Sequence, residues 1–353
     1  MSFKICLLPG DGIGPEVTAA AVSVLERTAA RHHFAFTTAE YPIGGVALRA
    51  SGSPFPDATR QAVLAADAVL LGAVGAPEFD REPPARKPET GLLQLRQALG
   101  GFANLRPVMR YPNAGSTPLK DEIVAGADFI VVRELTGGIY FGQPRGFAAG
   151  RQSAHNTMAY IVEEIERVAR IAFGLAAERR GKLTSVDKAN VLEVSQLWRE
   201  TVIRVAADYP QVKLDHLYID NAAMQILLRP RDFDVLLTGN LFGDILSDEA
   251  GVLAGSLGLL PSASIGGRVG LYEPVHGSAP DLAGQDVANP LGAILSAALL
   301  LRYSLRQPAA AKAIEAAVAR TLADGLRTRD IAGAGPRLGC RAMAAAVIER
   351  LAG

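Results

Sequence analysis

Short β-rich runs alternate with amphipathic helical stretches along most of this chain, and that alternation limits its fold more than any other feature. The runs are KICLLP, AVLLGAV, FIVVREL, LTSVDK, LDHLYI and FDVLLT. After the first, Val17, Ala21, Val24 and Leu25 form one stripe of a helix starting at Pro15. In IVEEIERVARIAFGLAAERR, Ile161, Ile165, Val168 and Leu175 repeat at helical spacing. Such alternation predicts an α/β fold with much parallel sheet. Asn289-Pro290 reads as an N-cap followed by proline at the first helical position, and the Ala-rich tail after residue 308 reads as helical. With 353 residues the chain is long for one core, so one large or two closely linked domains are expected. GGIYFGQPRG, at 137–146, breaks the pattern and reads as an extended arm. It either packs on a partner subunit or forms a plain surface hairpin.

Composition excludes several classes. Lysine plus arginine and aspartate plus glutamate both number 36, so no general basic surface is offered to nucleic acid. The two cysteines, Cys6 and Cys340, make neither a disulfide framework nor a metal motif, which suits a reducing compartment. The first apolar run is too short for a signal peptide and ends at a Pro-Gly turn. AILSAALLLRYSL, near residue 300, falls short of a membrane span and reads as a core helix. A cytoplasmic protein is expected.

Five segments carry chemistry, each with a plainer alternative. PGDGIGPE follows a strand and opens a helix, but Gly10, Gly12 and Gly14 do not have the G-x-G-x-x-G spacing. A tight turn is favoured over a pyrophosphate loop. In TGNLFGDILSDEA, Asp244 and Asp248 are four apart and share a helix face. They are either hard ligands for Mg²⁺ or Mn²⁺, or a cap and a solvated acid. In LTSVDKANVLEVSQLW, Lys188 sits at a strand end, as a base or as a solvated lysine. Asp220 of LYIDNAAM ends another strand and offers a third carboxylate.

PETGLLQLRQALGGFANLRPV supplies Glu89, Leu92, Leu93, Arg96 and Arg106, and Arg133 ends FIVVRELTGG. Three arginines suit a dicarboxylate and the leucines an apolar substituent; arginines paired with surface acids are the alternative. EPVHGSAPDLAG, followed by VANP, is rich in turn formers. Ser278 and Asp281 have capping-box-like spacing, or Asp281 binds a ribose diol and repels a 2′-phosphate.

Together these segments resemble the β-decarboxylating dehydrogenases, the family of isocitrate and 3-isopropylmalate dehydrogenases. The resemblance runs nearly end to end and rests on NLFGDILSDEA, SVDKANVLEVSQLWRE and EPVHGSAPDLAG. PETGLLQLR resembles the isopropylmalate branch: isocitrate enzymes are expected to carry a serine and an asparagine where this chain has Leu92 and Leu93. GAPEFDREPPARK departs from the family pattern, and Cys340 stands where a threonine opening the last helix is expected.

The resemblance implies the isopropylmalate dehydrogenase-like two-domain α/β fold, not a Rossmann fold. Residues 1–103 and 255–353 would form the cofactor-side domain. Residues 104–254 would form the second domain, with the dimer interface and an extended dimer arm at about 137–158. It implies that Arg96, Arg106, Arg133 and Tyr140 bind the malate part of the substrate, with Glu89, Leu92 and Leu93 lining the pocket. Asp244 and Asp248 would hold Mg²⁺ or Mn²⁺, with Asp220 as a further ligand. Lys188, Val191 and Asp220 would enter from the neighbouring subunit of a homodimer. NAD would lie along His276, Gly277, Ser278, Ala279, Pro280, Asp281 and Asn289, with Ile13 and Glu89 nearby. Lys188, Asp220 and Tyr140 would handle protons in an oxidative decarboxylation of 3-isopropylmalate belonging to leucine biosynthesis. A homoisocitrate or tartrate/malate enzyme is the nearest alternative, and a non-catalytic family member a remoter one. Neither a nucleic acid nor a membrane partner is implied.

Overall fold

The uninterrupted apolar run Ala68–Ala73 is buried at every residue and pairs in parallel with a strand on each side. The computed structural model describes residues 2–115 and 117–351. It divides into two compact units: Met1–Gly101, Tyr111–Ser116 and Ala254–Gly353 form one, Phe102–Arg110 and Thr117–Leu253 the other.

In the first unit the strands run in the order Ala35–Glu40, Ser2–Gly10, Ala68–Ala73, Gly270–Pro274, Pro261–Ile265. The first four are parallel and the last pair antiparallel. Cys6, Leu8, Val69, Leu71, Leu95, Leu99 and Leu271 share one core cluster. The helix Gly14–His32 begins with proline in its first turn and buries Val17, Ala21, Val24 and Leu25. The helix Leu291–Tyr303 is buried from Leu291 to Leu301, as a core helix must be. Its start is shifted by one residue from the expected cap. Pro290 takes the capping position, while Asn289 Oδ1 still accepts the Leu291 N–H at 3.0 Å. Among the described residues, no helix is long and apolar enough to cross a membrane.

The second unit orders its strands Ala103–Met109, Asp128–Glu134, Val235–Thr238, Lys182–Asp187, Lys213–Tyr218. Only the first pair is antiparallel. Phe129, Val131, Val186, Ile226, Phe233, Leu236, Leu246 and Leu253 fill its core. The helix Val162–Glu178 buries Ile165, Val168 and Leu175. Ile161, expected on that stripe, precedes the helix and is exposed, with its N–H donating to Glu164. The glycine-rich segment makes a short turn at Gly138–Tyr140 and then a small antiparallel pair, Gly146–Phe147 with Ala154–His155. Phe141 and Phe147 are exposed along it.

Candidate active site

In the first unit, the glycine-rich turn is built for close packing. Gly10 and Gly12 have positive φ, and a side chain on either would strike the carbonyl of Ala73 or Ser278. Asp11, inside the motif, is buried and accepts the N–H groups of Gly45, Val46 and Gly75 at 2.8, 2.8 and 3.0 Å. Ile13 donates its N–H to the Ser278 carbonyl at 2.8 Å, so this turn fixes the 276–282 loop. Ser278 and Asp281 form no capping box. Ala279 takes a left-handed conformation and Pro280–Leu282 is a single 3-10 turn.

A cavity of about 440 Å³ opens beside this loop, lined by Ile13, His276, Ala279 and Asn289 with Ser256, Leu282, Arg329 and Asp330 among its other walls. His276 Nδ1 meets the Gly277 carbonyl at 2.9 Å, and a carbonyl only accepts, so Nδ1 carries the proton. Burial holds the ring below the usual histidine range. Nε2 is thereby left as a buried acceptor without a partner among the described residues. Asp330 accepts from Asn289 Nδ2 at 3.0 Å and from Ser256 and Thr328, tying three segments together behind the cavity. Gly277, Ser278, Pro280 and Asp281 are outside the lining, and Asp281 is exposed. Glu89 lies near Ser278: a side chain at Gly75 would meet Ser278 Oγ at 3.0 Å and Glu89 Oε1 at 3.8 Å.

The helix Pro88–Leu99 carries Glu89, Leu92, Leu93 and Arg96. Arg96 pairs with the buried Glu273 at 2.7 Å. Leu92 packs partly on the core cluster, whereas Leu93 is 55% exposed, one turn before Arg96 on the same side of the helix.

In the second unit, the strand Val235–Thr238 feeds the helix Asn240–Ala254, which carries both aspartates. Asp244 is inside that helix and does not cap it. Arg133, 5% exposed, pairs with Asp244, and Tyr140 Oη donates to Asp244 Oδ2 at 2.9 Å. Burial first, and Asp244 second, raise the Tyr140 pKa. Arg106 reaches Asp248 at 3.0 Å and Asp244 at 3.7 Å. Its Nε donates to Asn104 Oδ1 at 2.9 Å and its Nη1 to Ser247 Oγ at 2.7 Å. Tyr140, Arg106, Arg133, Asp244 and Asp248 therefore form one connected cluster.

Lys188, Val191 and Asp220 form a separate group in the same unit. Lys188 Nζ donates to Asp220 Oδ1 at 2.5 Å, and that bond is the leading cause of a lowered Asp220 pKa. Asp220 sits in the first turn of the helix Ile219–Leu228, and Val191 is exposed. The loop is braced from below. Buried Asp187 accepts Arg199 Nε and Nη2, both at 2.9 Å, and the Ala189 N–H at 2.9 Å. Among the described residues Asp220 does not join Asp244 and Asp248 within one chain; the metal-capable trio there is Glu16, Asp286 and Cys340.

Residues 4–347 match the family described as isocitrate/isopropylmalate dehydrogenase. The chain belongs to this family of decarboxylating dehydrogenases. It is 58% identical over 347 residues to the 3-isopropylmalate dehydrogenase of Gloeobacter violaceus, covering 97% of this chain and 96% of that one. It is 56% identical over 353 residues to that of Synechococcus sp. strain CC9605, covering 99% of both. Among solved structures, the isocitrate dehydrogenase of Methylococcus capsulatus has a TM-score of 0.87 at 37% identity, covering 99% of both chains.

Proposed function

We propose that this chain catalyses the NAD-dependent oxidative decarboxylation of (2R,3S)-3-isopropylmalate to 4-methyl-2-oxopentanoate and CO₂, in leucine biosynthesis. The observation that carries this reading is Leu93, an exposed leucine one turn before Arg96. An arginine beside an apolar surface suits a malate core with a hydrocarbon branch, and a third carboxylate there would be desolvated without a partner. The higher identity to 3-isopropylmalate dehydrogenases than to the isocitrate enzyme supports the same choice.

The residues present fit both implied cofactors. The unpartnered Nε2 of His276 on the wall of the cavity suits an adenine-type donor, and Ile13, Ala279 and Leu282 offer apolar surface to a ring. Gly277, Ser278, Pro280, Asp281 and Glu89 are assigned to the rest of NAD, whose nicotinamide is the hydride acceptor when bound. Asp244 and Asp248 are hard oxygen donors of the kind that hold Mg²⁺ or Mn²⁺, with Asp220 from the other subunit as a third. A bound divalent cation supplies Lewis acidity at the 2-oxygen.

Arg96, Arg106 and Arg133 hold the carboxylates, and Leu92, Leu93 and Val191 contact the isopropyl branch. The Lys188–Asp220 pair takes the proton from the 2-hydroxyl as hydride leaves C2. The ketone so formed lies β to the C3 carboxylate, whose C–C bond breaks to release CO₂ and leave an enolate. Tyr140, whose phenol carries the proton, delivers it to C3. Shared sites require a homodimer. Exposed Met224, Leu228, Ile245 and Val252 on the helices Ile219–Leu228 and Asn240–Ala254 support one. The cytoplasm is the assigned compartment, in keeping with two free, buried cysteines. NADH formation from 3-isopropylmalate with NAD⁺ and Mg²⁺ tests the proposal; no turnover refutes it.

A further inference from the structure

We infer that Asn240 is a positioning residue that sets both Arg133 and the Tyr140 turn for substrate. The inference rests on the roles proposed above for Arg133 and Tyr140. Asn240 is 1% exposed at the start of its helix. Its Oδ1 accepts from Arg133 Nε at 3.0 Å and from Nη2 at 2.9 Å. Its Nδ2 donates to the Gly137 carbonyl at 3.1 Å, and its backbone N–H donates to Tyr160 Oη at 2.7 Å. A guanidinium only donates and a carbonyl only accepts, so the amide has one possible orientation.

The two-point hold on Nε and Nη2 fixes the guanidinium plane and leaves Nη1 turned to Asp244. Gly137 directly precedes the Gly138–Tyr140 turn, so the same amide anchors the backbone from which Tyr140 projects. Arg133 Cζ lies 5.8 Å from the Tyr140 ring centre, within cation–π range of it. Neutrality matters as much as shape. An amide orients Arg133 without adding a second carboxylate to the one it already meets in Asp244. A carboxylate at this position would compete for the guanidinium charge and would oppose the Gly137 carbonyl oxygen to oxygen.

The test uses the full-length chain with Asn240→Asp, nearly isosteric, and Asn240→Ser, which keeps a hydroxyl as donor and acceptor. KM for isopropylmalate should rise and kcat fall, each by about tenfold or more in Asn240→Asp and by less in Asn240→Ser. KM for NAD⁺ should stay within about twofold, because the residues assigned to the cofactor belong to the first unit and Asn240 to the second. A purely structural role would lower the melting temperature or the active fraction and leave both KM values alone, which would overturn the inference. Calorimetry with D-malate and Mg²⁺ separates this inference from the substrate reading. If the wild type binds malate but does not turn over isopropylmalate, the substrate reading fails, and weaker malate binding by Asn240→Asp still supports Asn240. Equal affinities in the two proteins overturn it, and no malate binding by the wild type overturns both.

Discussion

The hydroxyl of Tyr140 donates to the carboxylate of Asp244 at 2.9 Å. The group assigned to protonate carbon thus touches a group assigned to hold the metal, and Arg133 and Arg106 share the same carboxylate. Asp244→Asn removes one of the carboxylates assigned to the metal while keeping its size. The Mg²⁺ concentration for half-maximal activity should rise by about tenfold or more, with a severe fall in turnover. Titration of activity with Mg²⁺ after chelation checks this, and full wild-type activity in thorough chelation contradicts the metal role.

Lys188 and Asp220 hold each other at 2.5 Å, separate from the Tyr140 cluster among the described residues of one chain. If they serve the other subunit's site, Lys188→Ala and Tyr140→Phe are each inactive alone. A mixed dimer has one site carrying both lesions and one carrying neither, so subunit exchange should restore part of the activity. Verified mixed dimers with no recovery would show that each site is built within one chain.

Asp281 is exposed at the Pro280–Leu282 turn, next to the wall formed by His276 and Ala279. A 2′-phosphate arriving there meets a carboxylate, which favours NAD over NADP. Asp281→Lys should narrow the NAD/NADP ratio of kcat/KM. An unchanged ratio would leave Asp281 as a residue of the turn alone.

The last helix, Cys340–Leu351, lacks the hydroxyl cap expected at its start, and a distant residue replaces it. The Asp286 carbonyl accepts the Cys340 N–H at 3.0 Å, and its Oδ1 accepts the Arg341 N–H at 2.9 Å. Asp286 holds a positive φ of 57° to do so. Asp286→Ala should cost about 1–2 kcal/mol, from the lost cap and the left-handed backbone together. Denaturant unfolding measures it, and a loss within error of zero would mean that the helix start does not depend on this contact.

What the sequence reveals depends on whether the signal is local. Ala68–Ala73 is apolar throughout and is legible as a buried strand, and the four-residue spacing of Asp244 and Asp248 is legible as one helix face. Ala35–Glu40 is a mostly exposed edge strand without an apolar run, and Gly270–Pro274 is short and bounded by glycine and proline, so neither stands out. Asn240 and Glu273 were invisible for another reason. They meet Arg133 and Arg96 across 107 and 177 residues, and only folding brings such partners together. Asp11 is hidden inside a glycine motif whose spacing draws attention to the glycines, although its carboxylate ties down three backbone N–H groups.

Substrate choice is the central claim, and the arginines cannot make it, because in the roles proposed for them they would grip any malate core. Leu93 is exposed and free to meet a substituent, while Leu92 is partly committed to the core cluster. Burying an isopropyl group gains about 0.8 kcal/mol per methylene-sized unit. Leu93→Ser should therefore lower kcat/KM for isopropylmalate by roughly one to two decades, with a much smaller loss for malate. Leu92→Ser should also lower thermal stability. The most direct measurement is kcat/KM of the wild-type chain for 3-isopropylmalate, malate and isocitrate under the same NAD⁺ and Mg²⁺. The account predicts isopropylmalate first, malate well behind and isocitrate strongly rejected; a preference for isocitrate would contradict it.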